Sequence, residues 1–215
     1  MNKLFVNSIL ASCLVMTSTV TVKASANTLE PCTTEDCVTY FKKFQRAARR
    51  GFISAEYNLA KFYYYGYGTT IDHELALKYY RKSAVQGSRE AQYMTGLLFL
   101  TNETLSNREQ GLYWLQRASL NAHQHAEFLL GKSLAVNTQG QTDFSESDYW
   151  LSKAFDRDYY KLPALIEELS AHNLFNETNY PTLYSKLVEQ NMFIVDGKVT
   201  NFAPKNIERI TITGS

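Results

Sequence analysis

An excess of charge of either sign is missing from this chain. Its 215 residues carry 22 Lys and Arg against 21 Asp and Glu, a net charge of +1. Balanced and interspersed charge leaves no electrostatic footprint for a nucleic acid. Long hydrophobic runs are missing after residue 26, so nothing there approaches the roughly 20 apolar residues of a membrane-spanning helix. Cysteine is scarce, at Cys13, Cys32 and Cys37 only, too few for a cysteine-built metal centre. The usual catalytic signatures are missing as well. There is no glycine-rich phosphate loop and no Ser-x-x-Lys. His73-Glu74 lacks the second histidine of a zinc-protease helix. Gly131-Lys132-Ser133-Leu134-Ala135 falls one residue short of a nucleophile elbow and sits in a helical pattern, where that sharp turn cannot form.

What is present begins with a leader. Lys3 precedes a stretch from Leu4 to Val22 that is apolar or small, and Ala24-Ser25-Ala26 follows as a small-x-small cleavage site. This is the three-part pattern of a secretory signal over residues 1–26, with a mature chain expected from Asn27. Loss of Lys3 and Lys23 with the signal would take the net charge from +1 to −1. A second reading stays open: Leu10-Ala11-Ser12-Cys13 fits a lipobox, and cleavage before Cys13 would leave a lipid anchor. Export predicts a periplasmic or secreted protein of a Gram-negative bacterium. In an oxidising compartment Cys32 and Cys37 read as a disulfide. The four intervening residues do not suit a redox motif, and a metal pair would need more ligands nearby.

The middle of the chain repeats itself. Ala55, Ala91 and Ala126 recur at spacings of 36 and 35, and Gly51, Gly87 and Ala122 keep the same step. Tyr79, Trp114 and Trp150 form a third series, and Lys82, Arg117 and Lys153 a fourth. Units of this size cannot bury an apolar face alone, so neighbours must stack. Within a unit the periodicity is helical. Leu59, Phe62 and Tyr63 share a face one turn beyond Ala55, and Gly66 and Gly68 suit a helix stop. Asp72 suits an N-cap for a second helix with Leu75, Ala76, Tyr79, Tyr80, Ser83 and Ala84 on its inner stripe. Ser145 with Asp148 reads as a variant capping box opening the helix of Trp150.

These residues closely resemble the Sel1-like repeat. The segment AEYNLAKFYYYGYGTTIDHELALKYYRKSAVQG matches it at Ala55, Leu59, Tyr63, Gly66, Gly68, Asp72, Ala76, Tyr79, Ala84 and Gly87. A second unit keeps Ala91, Gly96, Trp114 and Ala118, with Asn102 where the first turn glycine would stand. A third keeps Ala126, Leu130, Gly131, Trp150 and Ala154 and then drifts. The resemblance implies an all-α fold, a right-handed α-solenoid of antiparallel helix pairs related to tetratricopeptide repeats, and a role in holding other proteins together. It divides residues 38–172 into a half repeat at 38–54, units at 55–90, 91–125 and 126–163, and a terminal helix to 172, after a disulfide segment at 27–37. A capping helix is expected within 173–191. The tail at 192–215 is β-rich: Met192 to Val195, Asp196-Gly197 and Lys198 to Phe202 suit a hairpin. Residues 207–213 alternate as a further strand whose free edge suits pairing with a partner.

Candidate chemistry is thin. His123 and His125 are two apart, with Glu127 near, and read as a solvated turn rather than a metal site. Glu167-Glu168 and the pair Asp156 and Asp158 read as solvated charge. Trp114, Trp150 and Tyr63 read as core, and Tyr64 and Tyr67 as candidates for a partner-binding groove. The function expected is a non-catalytic periplasmic scaffold or adaptor with no cofactor, binding an envelope protein or peptide. An envelope-glycan or cell-wall enzyme with an unrecognised site is the alternative.

Overall fold

The computed structural model describes residues 31–135, 144–195 and 198–200. The signal segment, Cys13 and the strand expected at 207–213 lie outside those residues. Helix α1 (Glu35–Ala48) is followed by the pairs α2 (Ile53–Tyr65) with α3 (His73–Val85), α4 (Arg89–Thr101) with α5 (Arg108–Leu120), and α6 (Gln124–Ala135) with α7 (Phe144–Asp156). Helices α8 (Leu162–Ala171) and α9 (Pro181–Glu189) precede the strands β1 (Phe193–Val195) and β2 (Lys198–Thr200). From α1 to α7 each helix packs on the next, the pattern of an all-α solenoid of stacked pairs. At the end the alternation changes, with α9 against α7 and β2 beside α8. The strands are antiparallel, with Phe193 opposite Thr200 and Val195 opposite Lys198. The Val199 N–H donates to the Glu167 carboxylate on α8 at 3.0 Å, which ties the hairpin to the stack.

Small side chains set the spacing of the stack. Ala76, Ala84, Ala91, Ala118, Ala126 and Ala154 are all wholly buried, and Ala55 nearly so. At the α4–α5 crossing a Cβ on Gly96 would stand 2.9 Å from the Gly111 carbonyl and 2.8 Å from Leu115. Gly131 meets Leu151 of α7 in the same way. The larger members of each stripe fill the remaining space. Tyr80, Leu115 and Leu151 are fully buried, each beside its repeat aromatic. Trp114 and Trp150 are buried, whereas Tyr79 is half-buried and stacks on Tyr63 at 5.8 Å.

Helix starts repeat with different chemistry. Asp72 accepts from Leu75 N–H at 2.8 Å, Ser88 from Ala91 N–H at 3.2 Å and Asn107 from Gln110 N–H at 3.0 Å. Each satisfies an amide that the helix itself leaves without a partner. Helix stops also repeat. Gly51, Gly87, Ala122 and Asp158 end successive second helices with φ of +81°, +99°, +58° and +53°.

One reading of the sequence needs correction here. Ser145 lies inside α7, which begins at Phe144, so it does not open a capping box. Asp148 is buried and accepts from Leu183 and Thr182 N–H at 2.8 and 3.0 Å. It caps α9, which has no side-chain cap of its own, because a carboxylate beside unpaired amides is worth more than one beside its own helix's bonded ones. Asn102 does not copy a left-handed glycine: its backbone is extended, with φ −92°. Its side-chain oxygen instead accepts from the Thr104 and Leu105 amides, both at 3.1 Å, and the turn closes through the side chain.

The first turn carries an N-terminal strap. Cys32 and Cys37 are disulfide-bonded, with Cα atoms 6.0 Å apart. Cys32 pairs with Tyr67 in a parallel bridge: its N–H donates to the Gly66 carbonyl at 3.2 Å, and Gly68 N–H donates to the Cys32 carbonyl at 2.6 Å. Gly66 and Gly68 have φ of +71° and +68°, and a Cβ on Gly68 would drive into the Cys37 carbonyl and stand 2.8 Å from Phe41. Gly68 therefore serves both the turn and the docking of the strap. Gly68→Val is expected to destabilise by about 2 kcal/mol or more, from left-handed strain and the clash together. Urea unfolding checks this, and an unchanged midpoint would refute it. Ala122→Gly acts oppositely. It relieves left-handed strain at some entropic cost and should stabilise by about 0.5 kcal/mol in the same assay.

Candidate interaction face

The first helices of the pairs carry aromatic side chains on one face. On α2 the spacing puts Tyr57, Lys61, Tyr64 and Tyr65 on one side. Tyr57 packs on buried Tyr80 at 5.7 Å, with the Lys61 ammonium 5.9 Å from its ring. Tyr64 meets Tyr65 at 4.8 Å and His73 at 5.2 Å. On α4, Tyr93 stacks on His123 at 4.5 Å and reaches His125 at 5.9 Å. His125 meets Tyr159 at 5.4 Å, Phe128 of α6 packs on the same ring at 4.6 Å, and Tyr160 follows at 5.3 Å. The run thus crosses from α2 to the turn before α8.

Its electrostatics follow from partial burial. Burial raises the Tyr93 phenol above its usual range, and the neighbouring phenols of Tyr64, Tyr160 and Tyr65 raise it further. Tyr57 and Tyr65 are raised for the same first reason, Tyr57 next by the Glu90 carboxylate and Tyr65 by Tyr64. These rings are neutral hydrogen-bonding groups on an apolar body. Tyr80, beneath them, buries a hydroxyl with no hydrogen-bond partner among the described residues.

His123 takes the place that Ser88 holds one unit earlier. Its Nδ1 accepts from Ala126 N–H at 3.2 Å, so the ring caps α6 and must keep that nitrogen unprotonated. Burial, and next the His125 ring, push its pKa down from its ordinary 6.5 to about 4. His125 is lowered too, by burial and then by Lys161. The two rings do converge, at 5.8 Å, but Glu127 turns away and pairs with Arg157 at 2.9 Å. Among the described residues no group of three His, Cys, Asp or Glu side chains is placed to hold a metal. The other charged candidates are engaged: Glu168 with Lys132 at 2.9 Å, Asp156 with Lys186, and Glu167 with the hairpin. Ser133 lies within α6.

Of the two tyrosines expected at a groove, Tyr64 lies in the aromatic run. Tyr67 lies in the strapped turn, stacked on Phe62 at 5.1 Å with its backbone paired to Cys32. Sequence reasoning passed over Tyr57, Tyr93 and Tyr160. The repeat step held the signal, because Tyr57, Tyr93 and Phe128 are again 36 and 35 apart.

The His123 cap carries a pH dependence. Folding favours the neutral ring, so its contribution is complete above the unfolded pKa of about 6.5 and is lost as pH falls toward the folded value. Melting temperature should drop between pH 7 and 4, and His123→Ser, which keeps a cap without a titrating ring, should flatten that drop. Parallel melting curves for the two proteins would refute the assignment.

Comparison with known proteins bears on this geometry. The family model described as Sel1 repeat matches residues 53–88 and 89–123. Chitin synthase regulatory factor 4 of Schizosaccharomyces pombe is 33% identical over 84 residues, covering 39% of this chain and 13% of that protein. Among solved structures, the chain is similar to c5321, a protective antigen of uropathogenic Escherichia coli displaying an SLR fold, at TM-score 0.56 and 21% identity over 70% of this chain and 33% of that one. A Sel1 repeat protein from Oxalobacter formigenes gives TM-score 0.56 and 19% identity over 72% of this chain and 64% of that one. The chain thus spans only part of each relative, and the structural likenesses concern the fold.

Proposed function

The two Sel1 repeats assign the chain to the Sel1/tetratricopeptide-like repeat family, whose fold is generally used for protein–protein interaction, and from that premise we propose that it is a non-catalytic adaptor of the bacterial cell envelope. It is exported by its N-terminal signal and works in the periplasm, where it holds another envelope protein. The observation that carries this reading is the aromatic run Tyr57–Tyr64–Tyr65–Tyr93 across α2 and α4, continued by His125 and Tyr160. Tyrosine offers a large contact area at small entropic cost, with a hydroxyl at its rim that accepts water or a partner. Such residues dominate binding energy at protein interfaces. The bound segment presents apolar or aromatic side chains to this face, with Lys61 and Lys161 beside it for acidic flanks.

Placing a photo-crosslinking residue at Tyr64 and, separately, at Tyr93 in intact cells tests the reading. Both sites should capture the same protein, from a periplasmic fraction in which this chain begins at Asn27. Tyr113, 45% exposed on the second helix of its pair, serves as the control and should not. The double variant Tyr64→Ala/Tyr93→Ala, probed from a crosslinker at Tyr65, should capture at least about tenfold less. Capture from Tyr113 alone would overturn the proposed face. A lipid on Cys13 would replace the soluble periplasmic reading with a membrane-anchored one.

A further inference from the structure

The near-neutral total conceals a local segregation of charge. No acidic residue occurs from Cys37 to Ala55 or from Leu75 to Arg89. In the first stretch α1 carries Lys42, Lys43 and Arg46, and Arg49 and Arg50 follow at its end. Helical spacing sets these five along one side. In the second stretch α3 carries Lys78, Arg81 and Lys82. All eight side chains are exposed, and none forms an ion pair among the described residues. Lys42 and Lys78 share one repeat position and Arg46 and Lys82 another, each pair 36 apart. The rows therefore stand in register on α1 and α3, which both pack on α2. The helix dipole favours one cation in each last turn, Arg46 and Lys82. It does not account for Lys42, Lys43 or Lys78, which sit at least a turn earlier.

Apolar side chains project from the same edge. Phe52 and Ile53, where the chain passes from α1 to α2, are 57% and 40% exposed, and Val85 in the last turn of α3 is 71% exposed. A shallow cleft sets Phe52 and Ile53 beside Gln86, the residue after Val85. The Ser83 hydroxyl of α3 donates to the Ile53 carbonyl at 3.1 Å, so the two turns are joined. Val85 holds the repeat position of Arg49. Leu120 of α5, also 71% exposed, holds it again, three residues beyond Arg117.

Three kinds of partner suit a cationic edge, and the apolar tips separate them. The phosphates of a nucleic acid would meet the cations but leave Ile53, Val85 and Leu120 in water. Unpaired bases stack on aromatic faces, not on aliphatic tips. An acidic helical segment is held with its apolar side chains in a groove, whereas Phe52 and Val85 stand out from helix ends. A bilayer of anionic lipid takes both features at once. Its headgroups attract Lys and Arg, and projecting apolar side chains enter the boundary between headgroup and acyl chain.

We propose that the edge formed by α1 and α3 docks this protein on the surface of an anionic phospholipid bilayer, which it does not span. The aromatic face of α2 and α4 uses none of these residues, so the failure of either assignment leaves the other standing.

The test is flotation of the purified protein with vesicles of phosphatidylcholine, with and without about 30% phosphatidylglycerol, at about 50 mM NaCl. Mass spectrometry fixes the N-terminus, and every variant shares it, so a leader or lipid contributes equally throughout. Anionic vesicles should bind at least about tenfold more tightly than neutral ones, and about 500 mM NaCl should abolish that gain by screening. Arg46→Gln/Arg49→Gln/Lys78→Gln/Lys82→Gln should weaken anionic binding about a hundredfold or more. Those side chains are exposed, so its circular dichroism should match the wild type. Phe52→Ser/Val85→Asn should weaken binding about tenfold without changing its salt dependence. Lys132→Gln/Lys186→Gln, which removes cations from α6 and α9, should leave it within about twofold. The proposal is overturned if anionic lipid gives no gain over neutral lipid, or if the fourfold variant binds as the wild type does. Displacement of the vesicles by polyglutamate or duplex DNA at equal charge would also overturn it, and would assign the edge to an acidic protein or a nucleic acid.

Discussion

Close approach of helices at small residues is the constraint on which the rest of this structure depends. A helix pair alone exposes most of its apolar stripe, so stability comes from stacking. Stacking requires that the ridge of one helix enter the groove of the next. Where Ala76, Ala84, Ala91, Ala118, Ala126 and Ala154 are wholly buried, a larger side chain would hold two helices apart and lift the flanking leucines and aromatics off each other. Gly96 and Gly131 carry the same demand further, since even a methyl there meets the neighbouring helix. The position of every surface tyrosine is a consequence of this spacing.

The same constraint explains what could be read from residues alone. Small residues, helix stops and buried aromatics recur because each unit meets its neighbour in the same way, so a fixed step exposes them. The helix pairs, the αL stop at Gly66 and the cap at Asp72 were legible for that reason. Asp148 was not. Its partners are the amides of α9, in a part of the chain where the repeat has drifted, and a short-range motif such as Ser145 with Asp148 competes for the same residues. His123 was read as solvated turn because histidine is uncommon as a cap. Only its alignment with Ser88, and the imidazole nitrogen facing Ala126 N–H, reveal the role. Tyr57 and Tyr93 kept the repeat step but were masked by a dense local run of tyrosines around Tyr64.

Replacement of Ser88 by His123 at one repeat position has further consequences. A serine cap is indifferent to pH over the range in which a histidine cap is not. The histidine also adds a ring on which Tyr93 stacks, and so joins the cap of α6 to the aromatic face. Tyr57 has no equivalent ring from Ser88 and leans on Tyr80 of its own pair. Two units with one backbone plan therefore present different chemistry: a tyrosine near Glu90 in one, and a tyrosine–histidine stack in the other.

Two surfaces of the stack differ in how their polar groups are arranged. On α2 and α4 the tyrosines are neutral and only partly buried, so a protein segment gains from covering apolar ring area while the hydroxyls stay at the edge. Between α7 and α9 the groove lining mixes apolar side chains with two lysines and two aspartates that balance, and the Ser152 hydroxyl is closed off beneath it. The stacking step repeats along the chain, and where the repeat drifts α9 borrows its cap from Asp148. Departure from the repeat is thus what distinguishes one end of the solenoid chemically from the other.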